Sequence, residues 1–414
     1  MKPLRIAILG AGPIGIEAAL YAQELGHDVF VLEKGRIGEN LSRWGHVTLF
    51  SPFEMNRTAL GLAALGAGGM DDLPSGEEAL SGFEHLRRYL LPLARLPRLA
   101  NLIFEDHRVV TVGKEGLLKG EKIADADRLE APFRILVETA AGEKIFHADR
   151  VIDATGTYGN PRHMGAGGIP APGERAAAEI ISYDLDDPLE RDRGRYAGRR
   201  TLLVGGGLSA ATSALAWRTL ASDDPSTSLL WVTRTEAELP YAPIPGDPLR
   251  RRAALVEEAN RIAAARTGGI RHLPHRRVDS LRRDNGSWRV RVLGPAGSEE
   301  LRVDRILANV GYRPDESLYS ELQIHSCYAS SGPMKLAAAL LESAAGSDCL
   351  SQPATESETL QNPEPGFFIL GAKSYGRNSA FLLRNGFDQI RGAFQLIEER
   401  PDLDLYAVRP GSAA

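Results

Sequence analysis

Ile6-Ala7-Ile8-Leu9-Gly10-Ala11-Gly12-Pro13-Ile14-Gly15 is the stretch whose reading decides the fold. Its four leading apolar residues have the pattern of a buried parallel strand. Glycines at 10, 12 and 15 then make a tight turn, and Ile16 to Leu25 has the composition of a helix. Asp28-Val29-Phe30-Val31-Leu32 is a second strand, and Glu33 closes it about 20 residues beyond the turn. Such a turn has no room for side chains, because a pyrophosphate must approach the backbone itself. The free N–H groups and the dipole of the following helix favour the anion. A carboxylate at the end of the second strand suits the hydroxyls of a ribose. Three glycines alone are weak evidence; the strand before them, the helix after them and the acid make the pattern specific. Gly10, Gly12, Pro13, Ile14, Gly15, Glu33 and the adjacent Lys34 are thus the candidate residues of a first dinucleotide site.

The same order recurs from Arg200. Thr201-Leu202-Leu203-Val204 is strand-like, Gly205-Gly206-Gly207-Leu208-Ser209-Ala210 is the turn, and Ala211 to Leu220 is helical in composition. Gly205, Gly207 and Ala210 keep the spacing of the first turn, Leu208 opens the helix, and Ser209 is placed to cap it or to bond a phosphate oxygen. The next strand, Leu229 to Thr233, ends in Arg234 instead of an acid. A cation there accommodates a 2′-phosphate and favours NADPH over NADH; the plain alternative is a solvated arginine. Each copy is followed by a hairpin pattern and a small-residue strand end, Ala154-Thr155-Gly156 in the first and Ala308-Asn309-Val310-Gly311 in the second. Duplication on this scale predicts an α/β fold with two Rossmann-like dinucleotide-binding domains, each carrying a β-meander. Residues 1–165 form the first part of one domain, 166–304 an inserted second domain, and 305–400 the remainder of the first. The stretch of about 326–365 reads as a loop-rich insertion with a short helix over 334–341, and a helix is expected over 379–397.

Composition narrows the function. The 414 residues hold 49 basic and 54 acidic side chains, a net charge of −5, so neither a nucleic-acid surface nor a polybasic membrane patch is expected. No apolar run approaches the ~18 residues of a membrane span. Met1 to Arg5 runs directly into the first strand, which leaves no room for a signal peptide. The two cysteines, Cys327 and Cys349, form no Cys-x-x-Cys, and the nine histidines are scattered, so neither a disulfide framework nor a metal site is expected. A cytoplasmic protein without a metal follows.

Two dinucleotide sites in one chain imply electron transfer between two cofactors. On these residues the sequence resembles the two-dinucleotide-binding-domain flavoproteins, from Leu4 to about Ile397. This superfamily takes in the pyridine nucleotide-disulfide reductase-like enzymes and the flavin-containing, Baeyer–Villiger and N-hydroxylating monooxygenases. The resemblance implies FAD in the first site and NAD(P)H in the second, which Arg234 narrows to NADPH. It also makes Ala154, Thr155 and Gly156 part of the FAD site. Gly38 to Trp44 resembles the segment that runs along the flavin, with Trp44 near the isoalloxazine and Arg43 on phosphate or flavin oxygens; a half-buried Trp beside a surface Arg is the alternative. His107-Arg108-Val109-Val110 resembles the strand end whose backbone, at Val109, holds adenine, with a plain edge strand as the alternative. Gly371-Ala372-Lys373-Ser374 stands where the family often has Gly-Asp, so Ala372 removes the usual contact to the ribityl chain. Asn378 and Ser379 precede the last helix as cap residues, and a helix N-terminus aimed at a flavin stabilises negative charge on the reduced ring.

The acceptor of the electrons separates the subfamilies. A monooxygenase, working through a flavin C4a-hydroperoxide on a small heteroatom-containing or carbonyl substrate with O2, needs no protein nucleophile. Gly-x-Gly-x-Ser, Arg234, the Arg43-Trp44 pair and the missing acid at 372 point that way. The monooxygenase signature of Phe-x-Gly followed by His is absent between Ala154 and Gly205, where Gly168 to Glu174 looks more reductase-like. An NAD(P)H oxidoreductase without oxygen insertion, dithiol-linked through Cys327 and Cys349, is the second reading, and a non-catalytic redox-sensing flavoprotein the third. His46, Ser51, Asn56 and Lys373 are polar candidates for the substrate side, with His46, Asn56 and Lys373 as catalytic candidates and the Asn56 amide placed to orient NADP+ or oxygen. For each of them a structural role is the alternative. Arg250-Arg251-Arg252 is either an anion site or a solvated helix start. Beyond a small-molecule substrate and O2, a homodimer stays open.

Overall fold

A computed structural model describes residues 2–70, 72–123, 125–265, 268–343 and 356–407. The chain divides into two compact units, one made of Met1–Ser42, Ser51–Asn160 and Arg313–Ala414, the other of Arg43–Phe50 and Pro161–Tyr312. The units change over at 160/161 and 312/313, where the sequence reading sets its boundaries at 165/166 and 304/305. The short segment Arg43–Phe50 differs as well: the sequence reading leaves it in the first domain, and it packs with the second unit, where Phe50 lies against the helix core.

The first unit is built on a five-stranded sheet in the order Phe367–Ile369, Arg150–Asp153, Arg5–Leu9, Asp28–Leu32 and Ile103–Phe104. All its pairings are parallel. Strands covered on both faces must be apolar throughout, and Ile6 to Leu9 are fully buried. The helix Pro13–Glu24 begins with proline, whose missing N–H costs nothing at the first helical position. An antiparallel meander of Arg108–Lys114, Phe133–Thr139 and Gly142–Ala148 packs on the sheet through Phe133, Ile135 and Val137. The sequence reading expects a meander here, places its second and third strands as a hairpin, and reads the first, at His107 to Val110, as a strand end or edge strand.

The second unit repeats the plan. Its parallel sheet runs Ile270–Leu273, Ser228–Val232, Arg200–Val204, Arg305–Ala308, Ile181–Ser182. A meander of Arg277–Asp284, Ser287–Gly294 and Gly297–Val303 covers one face, and the helices Leu208–Asp223 and Arg250–Ala265 cover the other. The three arginines at 250–252 start that second helix, as one of the two sequence readings has it. Arg252 turns inward onto Asp247 at 2.7 Å, with both side chains buried.

Two local expectations need correction. The last helix begins at Leu383, not at Ser379, and its cap position is Leu382 with no side-chain cap. Asn378 spends its side chain on the N–H of Ala380, 2.9 Å away, which makes a local turn instead of a helix start. Asn378 and Ser379 are therefore not its caps. Ser209 is likewise not a cap: the cap position of its helix is Gly207, and the Ser209 side chain is exposed one residue inside the helix. Within the 326–365 stretch, the expected helix runs Met334–Ser343. Cys349 lies outside the described residues.

Candidate functional site: two dinucleotide cradles

The first glycine turn is fixed from three sides. Gly10 has φ of +97°, and a Cβ there would stand 2.8 Å from the carbonyl oxygen of Ala154. A Cβ on Gly15 would overlap the carbonyl oxygen of Gly10, so helix and strand cross at a distance only glycine permits. Around Gly12, by contrast, a Cβ would meet nothing within 4 Å, so that position opens outward. Glu33 is almost fully buried and spans the turn. Its Oε2 accepts the N–H of Ala11 at 2.8 Å and its Oε1 that of Gly35 at 2.9 Å. Burial pushes the Glu33 carboxyl above its ordinary range, and those two N–H donors oppose the shift. Lys34 is exposed, with its ammonium beside Gly159. Val109 is half-buried in the meander, next to a register shift between Val109 and Thr111.

Beneath this turn sits a buried ion pair that sequence reasoning misses. Asp153 ends its strand with no exposure; its Oδ1 accepts the Thr155 N–H at 3.1 Å and hydroxyl at 2.7 Å. Its Oδ2 takes the Lys373 ammonium at 2.6 Å, and Lys373 also donates to Thr155 Oγ1 at 3.1 Å. The ammonium lies 5.0 Å from the centre of the Tyr319 ring. Lys373 is thus a fully buried residue that positions Ala154-Thr155-Gly156, which corrects its reading as a catalytic candidate on the substrate side. Gly371, at φ of +72°, lies against Ile14 of the glycine turn. Gln389 from the last helix holds it there, accepting the Gly371 N–H at 2.8 Å and donating to Ser374 Oγ at 2.9 Å.

Asn56 is also reassigned. Its Nδ2 donates to the carbonyls of Ser51 and Pro52, both at 3.1 Å, and its Oδ1 accepts the Ser51 hydroxyl at 2.9 Å. Those bonds occupy the whole amide, so it pins the 51–56 turn and is not left to orient NADP+ or oxygen. His46, Arg43 and Trp44 belong to the second unit; the Arg43 carbonyl accepts Nη1 of Arg191 at 3.0 Å. Burial lowers the His46 pKa, opposed chiefly by Asp187.

A further buried acid stands on the first helix. Glu17 accepts the hydroxyls of Tyr89 and of Thr58, the latter at 3.0 Å. Desolvation raises its pKa to about 7 against those two bonds. Between about pH 4.5 and 7 the folded protein therefore holds a proton that the unfolded chain has released. Stability should fall as pH rises through that window, by an amount on the order of 3 kcal/mol at most. Glu17→Gln should flatten this part of the stability–pH curve in thermal melts; an unchanged slope would exclude Glu17 as its source.

The second turn is more open than the first. Gly205 would meet the carbonyl of Asn309 if it carried a Cβ, whereas Gly206 and Gly207 face open space. Both outer glycine carbonyls are held by aromatic donors: Trp231 Nε1 donates to Gly205 O at 2.9 Å and the Tyr241 hydroxyl to Gly207 O at 2.8 Å. Leu208 is half-buried, Ala210 is buried against the strand, and Arg234 is exposed just past the end of Ser228–Val232. Nothing in the sequence spacing signals Tyr241.

Residues 7–333 match the profile of the pyridine nucleotide-disulphide oxidoreductase family. The chain belongs to that family. Membership accounts for both cradles: the family uses FAD and a pyridine nucleotide, and the two turns have the open glycine backbone that each diphosphate needs. A search of curated proteins finds no sequence match. Among solved structures, the bacillithiol disulfide reductase Bdr (YpdA) of Bacillus cereus is 20% identical with a TM-score of 0.67, over 96% of this chain and 100% of the other. DfoA of Erwinia amylovora, a cadaverine monooxygenase bound to FAD, is 11% identical with a TM-score of 0.64, over the full length of both chains. Ornithine N-hydroxylase of Kutzneria sp. 744 is 16% identical with a TM-score of 0.58, over 96% and 99%. At such identities the likeness is one of fold, and that fold carries both reductases and monooxygenases. Among the described residues no helix is long and apolar enough to cross a membrane, and no group of side chains is placed to hold a metal ion.

Proposed function

We propose that the protein is an FAD-dependent, NADPH-using monooxygenase acting on a small heteroatom-containing or carbonyl substrate. The observation that carries this reading is the pairing of two open dinucleotide cradles with the absence of a Cys-x-x-Cys anywhere in a chain of two cysteines. A dithiol acceptor would require Cys327, which is buried, to reach Cys349. In this reading Gly10 to Gly15, Glu33 and Ala154 to Gly156 hold FAD. Gly205 to Ala210 hold the NADPH diphosphate, and Arg234 faces the 2′-phosphate. FAD supplies the hydride acceptor and the site of oxygen activation; the protein supplies grip, orientation and exclusion of water.

The test is oxygen incorporation. Incubation with NADPH and isotopically labelled O2, across amines, sulfides and ketones, should give one labelled oxygen per product molecule and no turnover under argon. NADPH oxidation that proceeds anaerobically with a disulfide acceptor would overturn the reading. Arg234→Gln should raise the KM for NADPH roughly 10- to 100-fold, the worth of a charge-assisted hydrogen bond, and leave that for NADH unchanged. Equal effects on the two nucleotides would remove Arg234 from the 2′-phosphate.

One observation favours an oxidoreductase without oxygen insertion. The Cys327 thiol is made more acidic by the Ser330 hydroxyl, with the N–H groups of Ser330 and Ala329 adding to it. The same loop is tied to the segment after Lys373, where Arg377 N donates to Ser330 O at 2.7 Å. Cys327→Ser separates the readings: it abolishes turnover only where the thiol takes part.

A further inference from the structure

The second unit holds a set of side chains for which neither glycine turn accounts. Glu174 is only 3% exposed. Its Oε2 accepts the N–H of Ala171 at 2.7 Å, and its Oε1 accepts that of Met164 at 3.1 Å and the Tyr183 hydroxyl at 2.5 Å. Nδ1 of His163 stands 3.4 Å from the same Oε1, and the His163 side chain is 29% exposed. A carboxylate fixed by three donors therefore stands beside a partly exposed imidazole. A carboxylate so anchored does not swing, so it offers a fixed acceptor on the Nδ1 side of the ring.

The backbone places this group at the carboxyl edge of the parallel sheet. Arg162 N donates to Gly311 O at 3.0 Å and Pro161 bridges Tyr312, just beyond the strand Arg305–Ala308. Tyr183 follows the strand Ile181–Ser182, and the Tyr312 hydroxyl donates to its carbonyl at 2.8 Å. Ligands of open α/β sheets lie across this edge. Arg234 marks the adenosine end at Ser228–Val232, and Gly205 to Gly207 mark the diphosphate at the next strand. From Ser228–Val232 to Ile181–Ser182 is three strand spacings in the sheet order, about 14 Å at ~4.8 Å each. That is comparable to the reach of an extended dinucleotide. The nicotinamide end thus falls where His163 stands.

We propose that His163, oriented by Glu174, reads the carboxamide of the nicotinamide ring. The inference rests on the NADPH reading above and deepens it. With Nδ1–H directed at Glu174, Nε2 is an acceptor for the carboxamide N–H. An apolar wall would hold the ring but leave it free to turn over. The hydrogen bond fixes which face of the ring, and so which hydrogen at C4, is presented.

Equilibrium binding to the FAD-loaded protein, by calorimetry, tests this without turnover. Three probes are used: NADP+, its 3-acetylpyridine analogue, in which a methyl replaces the carboxamide NH2, and 2′,5′-ADP, which has no nicotinamide. The wild type should bind NADP+ about fivefold more tightly than the analogue, the effect of one neutral hydrogen bond. His163→Ala should bind the two within twofold of each other and bind 2′,5′-ADP as the wild type does. His163→Gln, which keeps an acceptor, should recover part of the preference. Undiminished discrimination in His163→Ala, or none in the wild type, would overturn the assignment. Failure of the wild type to bind 2′,5′-ADP would instead overturn the NADPH reading on which it rests.

Discussion

Lys373→Met should lower the stability of the protein by roughly 3–5 kcal/mol, the cost of stranding one member of a buried ion pair. Neither Lys373 nor Asp153 has any exposure, and they meet at 2.6 Å. Removing the ammonium leaves the Asp153 carboxylate facing only Thr155. The carboxylate then either stays charged without compensation or takes up a proton. In the second case the loss of stability becomes smaller at low pH. Denaturant unfolding of the flavin-loaded variant at pH 6 and 8 measures both. The double variant Asp153→Asn, Lys373→Met should recover most of the loss, since a neutral amide has no uncompensated charge. A single variant as stable as the wild type would show that the pair carries no net weight. The effect should also reach the flavin, because Asp153 and Lys373 together hold the Thr155 hydroxyl at the edge of the first cradle.

Gly12→Ala should separate folding from cofactor binding. Gly12 caps its helix with φ of −80°, a backbone geometry alanine adopts without strain, and a Cβ there would touch nothing within 4 Å. The apoprotein should therefore keep its stability to within ~1 kcal/mol, the usual scale of a cap substitution. The added methyl occupies the space through which a diphosphate must approach, so FAD affinity should fall roughly 10- to 100-fold, as for ~1–3 kcal/mol of overpacking. Flavin absorbance per mole of protein after gel filtration reads the effect. Gly15→Ala is the contrasting case: its Cβ would overlap the Gly10 carbonyl, so both folding and flavin content should suffer. Full flavin retention by Gly12→Ala would mean that the diphosphate does not lie over this turn.

Much of the fold is legible in consecutive residues. The strand Arg5–Leu9, the glycine turn and the helix Pro13–Glu24 are each set by a few neighbours. Apolar runs, left-handed glycines and an N-terminal proline act over one or two turns of chain. The second copy is legible for the same reason, and so is the small-residue strand end at Ala154 to Gly156. The errors come where local rules compete. Asn378 and Ser379 are good cap residues, but Asn378 is an equally good turn former and bonds its own backbone neighbour first. Asn56 looks like a free amide until the fold of residues 51–56 engages every polar atom it has.

The sequence by itself determined that two glycine turns sit between strand and helix, each followed by a strand ending in a charged residue, because backbone sterics and helix dipoles are local. Only the tertiary structure decided that Lys373 meets Asp153, that Glu174 stands beside His163, and that Arg43–Phe50 packs with the second unit. Those pairings depend on where the chain returns after tens or hundreds of residues. The return path is fixed by the packing of whole sheets and helices, which the spacing of neighbouring side chains does not encode.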